Sequence, residues 1–226
     1  MKPPTPRSCR LFIFDLDGTL IDSRADITTS LNLMLARMRM RPLQESRVSD
    51  FVGSGVPKLV ERALREVIGR EPECDLIEGG IILFREEYGK HLLDRTRLCR
   101  GVCEALDRLS WASFAVVTNK PESFSRRILD GLGIGTRFCT ILGGDSVQKR
   151  KPNPEALFQA IENCHASRTE TAMIGDSAVD IQAGKAAGVT TCGVLGGFRP
   201  REELEAAGCD LIIESLLELP QYFRAP

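Results

Sequence analysis

Leu11-Phe12-Ile13-Phe14-Asp15-Leu16-Asp17-Gly18-Thr19-Leu20 is the stretch that decides the fold of this chain. An apolar run short enough for a buried parallel strand meets two carboxylates flanking one leucine, then a glycine free to leave the β region. Side chains alternate faces along a strand, so Asp15 and Asp17 start out on one side while Leu16 points away. Asp17-Gly18 stops the strand and leaves both acids at its carboxyl end, where open α/β sheets bind ligands. Two like charges so close need a partner, and Mg2+, which takes oxygen ligands and keeps several waters, suits them. The competing reading is a strand end closed by Asx turns.

After this strand the period changes. Ser23-Arg24-Ala25-Asp26 has the form of a capping box with Asp in place of Glu or Gln. Ile27, Leu31, Met34, Leu35 and Met38 then recur at helical spacing as far as Arg41-Pro42. A second helix follows Pro57, carrying Leu59, Val60, Ala63, Leu64, Val67 and Ile68, and a third carries Ile77, Ile81, Phe84, Tyr88 and Leu92. Three helices before any second strand exceed what a simple crossover needs. The sequence therefore predicts an inserted α-helical bundle cap over residues 22–95, a lid above the acids, with hinges near Asp22-Ser23 and Leu98 to Gly101. Within it, Gly53, Ser54 and Gly55 precede a helix start, where backbone amides, with Lys58 near by, suit an anionic group of a substrate. A plain interhelical turn is the alternative there.

From Gly101 onward apolar strands over 113–118, 138–142, 172–175, 190–195 and 210–213 alternate with helices. The class predicted is α/β, a doubly wound parallel sheet in which residues 1–21 and 96–226 form the core. Polar residues recur where strands end: Thr118 and Asn119 after the second, Lys151 in the loop before Pro152, and Asp176 and Asp180 after the fourth. Singly, each reads as a helix cap or a solvated loop. Together, at one edge of one sheet, they read as a site.

Composition narrows what the site serves. The 226 residues, 42% apolar, carry 30 basic and 31 acidic side chains for a net charge of -1, so no basic field recruits nucleic acid or an anionic membrane. Eight cysteines are spread singly without a Cys-x-x-Cys pair, and only two histidines are present, which argues against zinc. No apolar run approaches a leader or a membrane span. The expectation is a soluble cytoplasmic protein in a reducing compartment, its thiols acting as small buried hydrophobes and its partner a small molecule.

Asp15-Leu16-Asp17-Gly18-Thr19-Leu20, Thr118, Lys151-Pro152 and Gly175-Asp176-Ser177-Ala178-Val179-Asp180 resemble the four ordered motifs of the haloacid dehalogenase superfamily of phosphatases, over residues 11–215. Asp22-Ser23, the Val52-Gly53-Ser54-Gly55 loop, Val117-Thr118-Asn119-Lys120 and Gly143-Gly144-Asp145 ahead of Arg150-Lys151-Pro152 look most like phosphoglycolate phosphatases. Asn153, where histidine is often seen, and Val179, where asparagine is, depart from that pattern.

The resemblance and the residues agree on roles. Mg2+ is expected on a carboxylate oxygen of Asp15, the backbone carbonyl of Asp17 and a carboxylate oxygen of Asp176. Lys151 adds positive charge on the side away from the metal, while the Thr118 hydroxyl and Asn119 amide hold phosphoryl oxygens. Asp15 is the nucleophile, forming an aspartyl phosphate, and Asp17 is the general acid and then base. Asp180 orients Lys151 or a metal-bound water. Asp17 argues against a dehalogenase, which works on carbon and needs no second acid. A sugar-phosphate mutase, or a phosphatase of pyrophosphate or nucleotides, shares the acids and stays open, as does a noncatalytic binding module keeping the fold.

Overall fold

A computed structural model describes residues 6–226. The chain divides into two compact units, one formed by the segment up to Ile21 together with Leu98–Pro226, the other by Asp22–Arg97.

In the first unit the sheet strands are β1 (Leu11–Phe14), β2 (Ser113–Val117), β3 (Thr140–Leu142), β4 (Thr171–Gly175), β5 (Thr190–Val194) and β6 (Leu211–Ile213). Among the described residues they form one six-stranded sheet in the order β3-β2-β1-β4-β5-β6, every pairing parallel. That is the doubly wound order, in which the winding reverses between β1 and β4. β1 is central, with Leu11 opposite Ser113 on one side and Thr171 on the other.

The two-residue period of β1 sorts its side chains. Leu11 and Ile13 join Ala115, Val117 and Met173 in a cluster completed by Leu157 and Ala160 of α7 (Glu155–Asn163) and Ala183 of α8 (Ala178–Ala187), helices that follow α5 (Val102–Arg108) and α6 (Glu122–Gly131) in this unit. Phe12 and Phe14 take the other face, where the Phe12 ring meets Trp111, Phe114 and Phe223 at 5.8, 6.5 and 5.2 Å. Fully burying each such side chain is worth about 1.5 to 3 kcal/mol, so β1 is anchored on both faces just before its two acids. The third strand is shorter than the sequence predicts, because a 3-10 turn over Gly135–Arg137 precedes it. Near the chain ends, Arg7–Ser8 pairs in parallel with Phe223–Arg224, which no sequence pattern announces.

The expectation for the cysteines needs correction. Cys139 and Cys164, the latter capping α7, form a disulfide, and Cys74 and Cys103 are exposed. Among the free thiols only Cys9 and Cys192 are fully buried.

The second unit holds four α-helices among the described residues rather than three: α1 (Arg24–Arg37), α2 (Glu45–Phe51), α3 (Val56–Ile68) and α4 (Cys74–Lys90). α2 buries only Val48 and Phe51, too few to set up a helical period in the sequence. α1 buries Ile27, Leu31, Met34 and Leu35, and ends at Arg37, short of the Arg41-Pro42 stop. Asp26 does not close a capping box. Its carboxylate instead accepts from Arg95 N (2.9 Å), Thr96 N (2.7 Å) and the Thr96 hydroxyl (2.7 Å), which ties residues 95–96 into this unit and moves its end to Arg97. α4 packs close to α3, since a Cβ at Gly80 would meet Val60 Cγ1 at 2.8 Å, and the Phe84 and Tyr88 rings stack at 5.4 Å. Among the described residues no helix is long and apolar enough to cross a membrane.

Candidate active site

The carboxyl ends of β1, β2 and β4 are adjacent, and each delivers a polar residue one position beyond its last strand residue: Asp15, Thr118 and Asp176. Asp15 N still donates to Ile174 O (2.9 Å) and Thr118 N to Leu142 O (3.0 Å), so the backbone of both residues is held by the ladder that stops there. Asp15 and Asp176 flank the point where the winding reverses, the usual ligand crevice of such sheets.

Lys151 reaches this edge from the loop between β3 and α7. Its Nζ donates to Asp15 Oδ1 (2.8 Å) and to Asp180 Oδ1 (2.6 Å), and its side chain is 2% exposed. The other oxygen of Asp180 accepts from Ser177 N (3.2 Å) and Ser177 Oγ (2.6 Å) at the start of α8, so both of its oxygens are engaged in orienting neighbours. Asp176 Oδ2 accepts from Phe198 N at 2.6 Å. The Asn119 amide donates to Lys151 O (3.0 Å), and the Thr118 hydroxyl oxygen accepts from Lys120 N (3.3 Å). Asp17 takes a separate partner, its Oδ1 accepting from Lys120 Nζ at 2.7 Å.

One carboxylate oxygen from each of Asp15, Asp176 and Asp180 lies within 4.8 Å of the others. Two of these buried acids, Asp15 and Asp180, thus share the ammonium of Lys151, while the charge of Arg199 bears on Asp176. Burial, then the charge of Asp180, pushes Asp15 up to about 6 against the pull of Lys151. Burial and the Asp180 and Asp15 charges raise Asp176 well above the ordinary carboxylate range. For Lys151 burial opposes the charge, but Asp15 and Asp180 outweigh it and hold the group above its ordinary value. An excess of hard oxygen donors over positive charge fits a divalent cation such as Mg2+, which Asp15 and Asp176 could hold.

Two glycines make room for Asp176. Gly18 has φ +86°, in the left-handed region, and a Cβ built there or at Gly197 would overlap the Asp176 side chain. Gly18→Ala is therefore expected to displace the Asp176 carboxylate and, if that group holds the metal, to weaken Mg2+ binding about 10- to 100-fold by titration calorimetry, the usual cost of disturbing a metal ligand's support. Unchanged affinity would remove Asp176 from the ligand set.

The core unit thus brings together Asp15, Thr118, Asn119, Lys151, Asp176 and Asp180, with Asp17 held by Lys120. Gly53, Ser54, Gly55 and Lys58 belong to the helical unit. There Gly53 and Gly55 have φ +111° and +85°, Ser54 Oγ accepts from Arg62 Nη2 (3.4 Å), and Lys58, more than half exposed, pairs with Glu61 at 2.6 Å. Sequence reasoning gave no role to Lys120, Ser177 or Phe198. Ser177 carried a signal, standing three residues before Asp180 at a helix start, whereas Phe198 acts through its backbone amide and leaves none.

The family model described as haloacid dehalogenase-like hydrolase matches residues 12–194. The chain is 34% identical over 215 residues to a phosphoglycolate phosphatase of Nitrosospira multiformis, covering 94% of this chain and 95% of that protein. It is 38% identical over 211 residues to a phosphoglycolate phosphatase of Neisseria meningitidis, covering 91% and 90%. The crystal structure of a predicted phosphoglycolate phosphatase from Haemophilus somnus aligns with a TM-score of 0.88 at 29% identity, over 94% of this chain and 97% of that one. A match that runs from β1 through β5, and so takes in every acid of the site, shows that the chain belongs to the haloacid dehalogenase-like hydrolases.

Proposed function

We propose that this hydrolase is a Mg2+-dependent phosphatase that cleaves a small phosphate monoester, phosphoglycolate foremost, through an aspartyl phosphate on Asp15. The observation that carries the reading is the buried contact of Lys151 Nζ with Asp15 Oδ1 (2.8 Å) beside the oxygens of Asp176 and Asp180. It keeps a carboxylate and a cation side by side where an anionic phosphoryl group has to be approached by an anion. Asp15, the Asp17 carbonyl and Asp176 would hold a divalent ion, which would supply the remaining positive charge.

The chain's own groups then divide the work. Asp15 attacks phosphorus in line as the bond to the ester oxygen breaks, and Asp17 gives that oxygen its proton. In the second half Asp17 takes a proton from water, the water oxygen bonds to phosphorus, the bond to Asp15 breaks, and phosphate leaves with both acids restored. Lys151, steadied by Asp180 at 2.6 Å, contacts Asp15 and the transferring group throughout. Thr118 and Asn119 hold its remaining oxygens. Gly53, Ser54, Gly55 and Lys58 of the unit Asp22–Arg97 are the residues proposed to bind an anionic group of the substrate. The relatives named phosphoglycolate phosphatase support that choice of substrate.

The test is phosphate release from phosphoglycolate, sugar phosphates, nucleoside monophosphates and pyrophosphate, with Mg2+ and with a chelator. Fastest turnover is expected on phosphoglycolate and none in chelator. A different best substrate overturns the substrate assignment, and no release from any of them overturns the phosphatase reading.

A further inference from the structure

Gly143-Gly144-Asp145, conspicuous in the sequence, takes no part in the steps above. This turn leaves β3 beside the turn that leaves β2 with Thr118 and Asn119. We propose that Gly143-Gly144-Asp145 is a positioning brace that sets the Thr118–Asn119 turn against Lys151, so that the groups holding the transferring phosphoryl oxygens keep a fixed separation. The inference rests on the phosphoryl-holding roles of Thr118, Asn119 and Lys151 given above.

β2 and β3 pair in parallel as far as Val117 and Leu142, and the contact continues past both strand ends. Thr118 N donates to Leu142 O (3.0 Å), Gly144 N to Lys120 O (2.9 Å) and Glu122 N to Asp145 Oδ1 (2.8 Å). The Ser146 hydroxyl donates to the Glu122 carboxylate, and the Asn119 amide donates to Lys151 O (3.0 Å). The loop carrying Lys151 is thus stitched to the loop carrying Thr118 and Asn119 along its whole approach to the site. Pro121, the N-cap of α6, gives its helix no side-chain acceptor, and Asp145 supplies one from the other loop.

Both glycines serve closeness rather than an unusual backbone, since neither lies in the left-handed region. A Cβ at Gly143 would overlap Glu122 N, and one at Gly144 would sit 2.6 Å from Asn119 O. These are main-chain atoms, which cannot swing aside as a side chain can. Any side chain here therefore drives the two loops apart. The Thr118 hydroxyl, whose oxygen accepts from Lys120 N (3.3 Å), keeps its own proton to donate, and its aim follows the turn that carries it. Misplacing such a group by about 1 Å costs on the order of 10²-fold in rate.

Orthovanadate, a mimic of the transferring phosphoryl group, and Mg2+ are titrated by calorimetry into each variant, vanadate into the Mg2+-loaded protein. For Gly144→Ala, vanadate affinity and kcat/KM on phosphoglycolate are expected to fall together by about 10- to 100-fold. Mg2+ affinity should stay within about threefold, below the cost of disturbing a metal ligand, because Asp15 and Asp176 follow β1 and β4, outside the stitched loops. Asp145→Ala should give a smaller loss of the same pattern. Asp145→Asn, whose side-chain oxygen still accepts from Glu122 N, should restore the wild-type vanadate affinity. If Gly144→Ala does not fold, the two Asp145 variants decide the matter. Vanadate and Mg2+ affinities that fall alike, a lower Tm with vanadate affinity unchanged, or an Asp145→Asn no better than Asp145→Ala each overturn the proposal. Thr118→Val should itself weaken vanadate binding at least about tenfold, the scale of a lost hydrogen bond to a charged group. If it does not, the phosphoryl-holding reading of Thr118 fails, and the brace falls with it.

Discussion

Asp15→Asn is expected to lower Mg2+-dependent phosphate release by on the order of 10⁴-fold or more, the scale seen when a nucleophile is removed, with the fold retained. The amide has the shape of the carboxylate but cannot form the proposed aspartyl phosphate, so no slower version of that proposed route survives. Retention of the fold follows from the charge balance. Asp15 is pushed up to about 6 from 3.8, with burial the largest cause and the Asp180 charge next. A folded-state value above the unfolded one means that the native protein binds more protons between those limits, so this group's contribution to stability falls as pH rises from 3.8 to about 6. At pH 7 without metal the wild-type chain therefore carries the full cost of ionised Asp15, and the neutral amide relieves it. The Tm of Asp15→Asn in chelator should hold or rise at pH 7 and lose that advantage near pH 4. A variant that still turns over at the wild-type rate removes Asp15 from its role, and one with a collapsed Tm at pH 7 refutes the charge balance.

How much of this was legible in the sequence depended on whether a signal was local. β1 showed itself because Leu11-Phe12-Ile13-Phe14 is uniformly apolar and stops at acids and glycine, and the later strands because each is bounded by turn residues. Asp15, Lys151, Asp176 and Asp180 could be singled out because each follows such a boundary, and the parallel sheet then gathers those boundaries at one edge. α2 was invisible, with two buried residues in seven. Asp26 was misread, since four residues of Ser-x-x-Asp fit a cap whereas its actual partners, Arg95 and Thr96, stand 69 and 70 positions away. The same distance in sequence hid the Lys120–Asp17 pair, 103 positions apart, and the Cys139–Cys164 bridge, 25 apart with no spacing motif. Long-range polar pairing leaves no periodic trace, so it is the part of a site that only coordinates supply.

Lys151→Met should strike activity and stability together, with a pH dependence that separates the two causes. The side chain is 2% exposed between Asp15 at 2.8 Å and Asp180 at 2.6 Å, so methionine fills its volume and strands two buried carboxylates. Breaking a buried ion pair from one side costs about 3 to 5 kcal/mol, and losing one donor to developing phosphoryl charge costs about 10²- to 10³-fold in kcat. The lysine's own value is raised above 10.5, so its contribution is fully present below pH 10.5 and is lost only on rising through its folded value. Between pH 5 and 8 it is therefore constant, and any change in the gap between wild type and variant comes from the acids. Asp15, no longer pulled down by Lys151, rises further above 3.8, and the variant then binds still more protons than its unfolded chain. Its stability falls more steeply than wild type as pH rises. Denaturant melts in chelator should show a wide gap at pH 8 that narrows at pH 5. A gap of equal size at both would mean that Lys151 acts by packing alone, and the three-acid cluster would lose its claim to be held by charge.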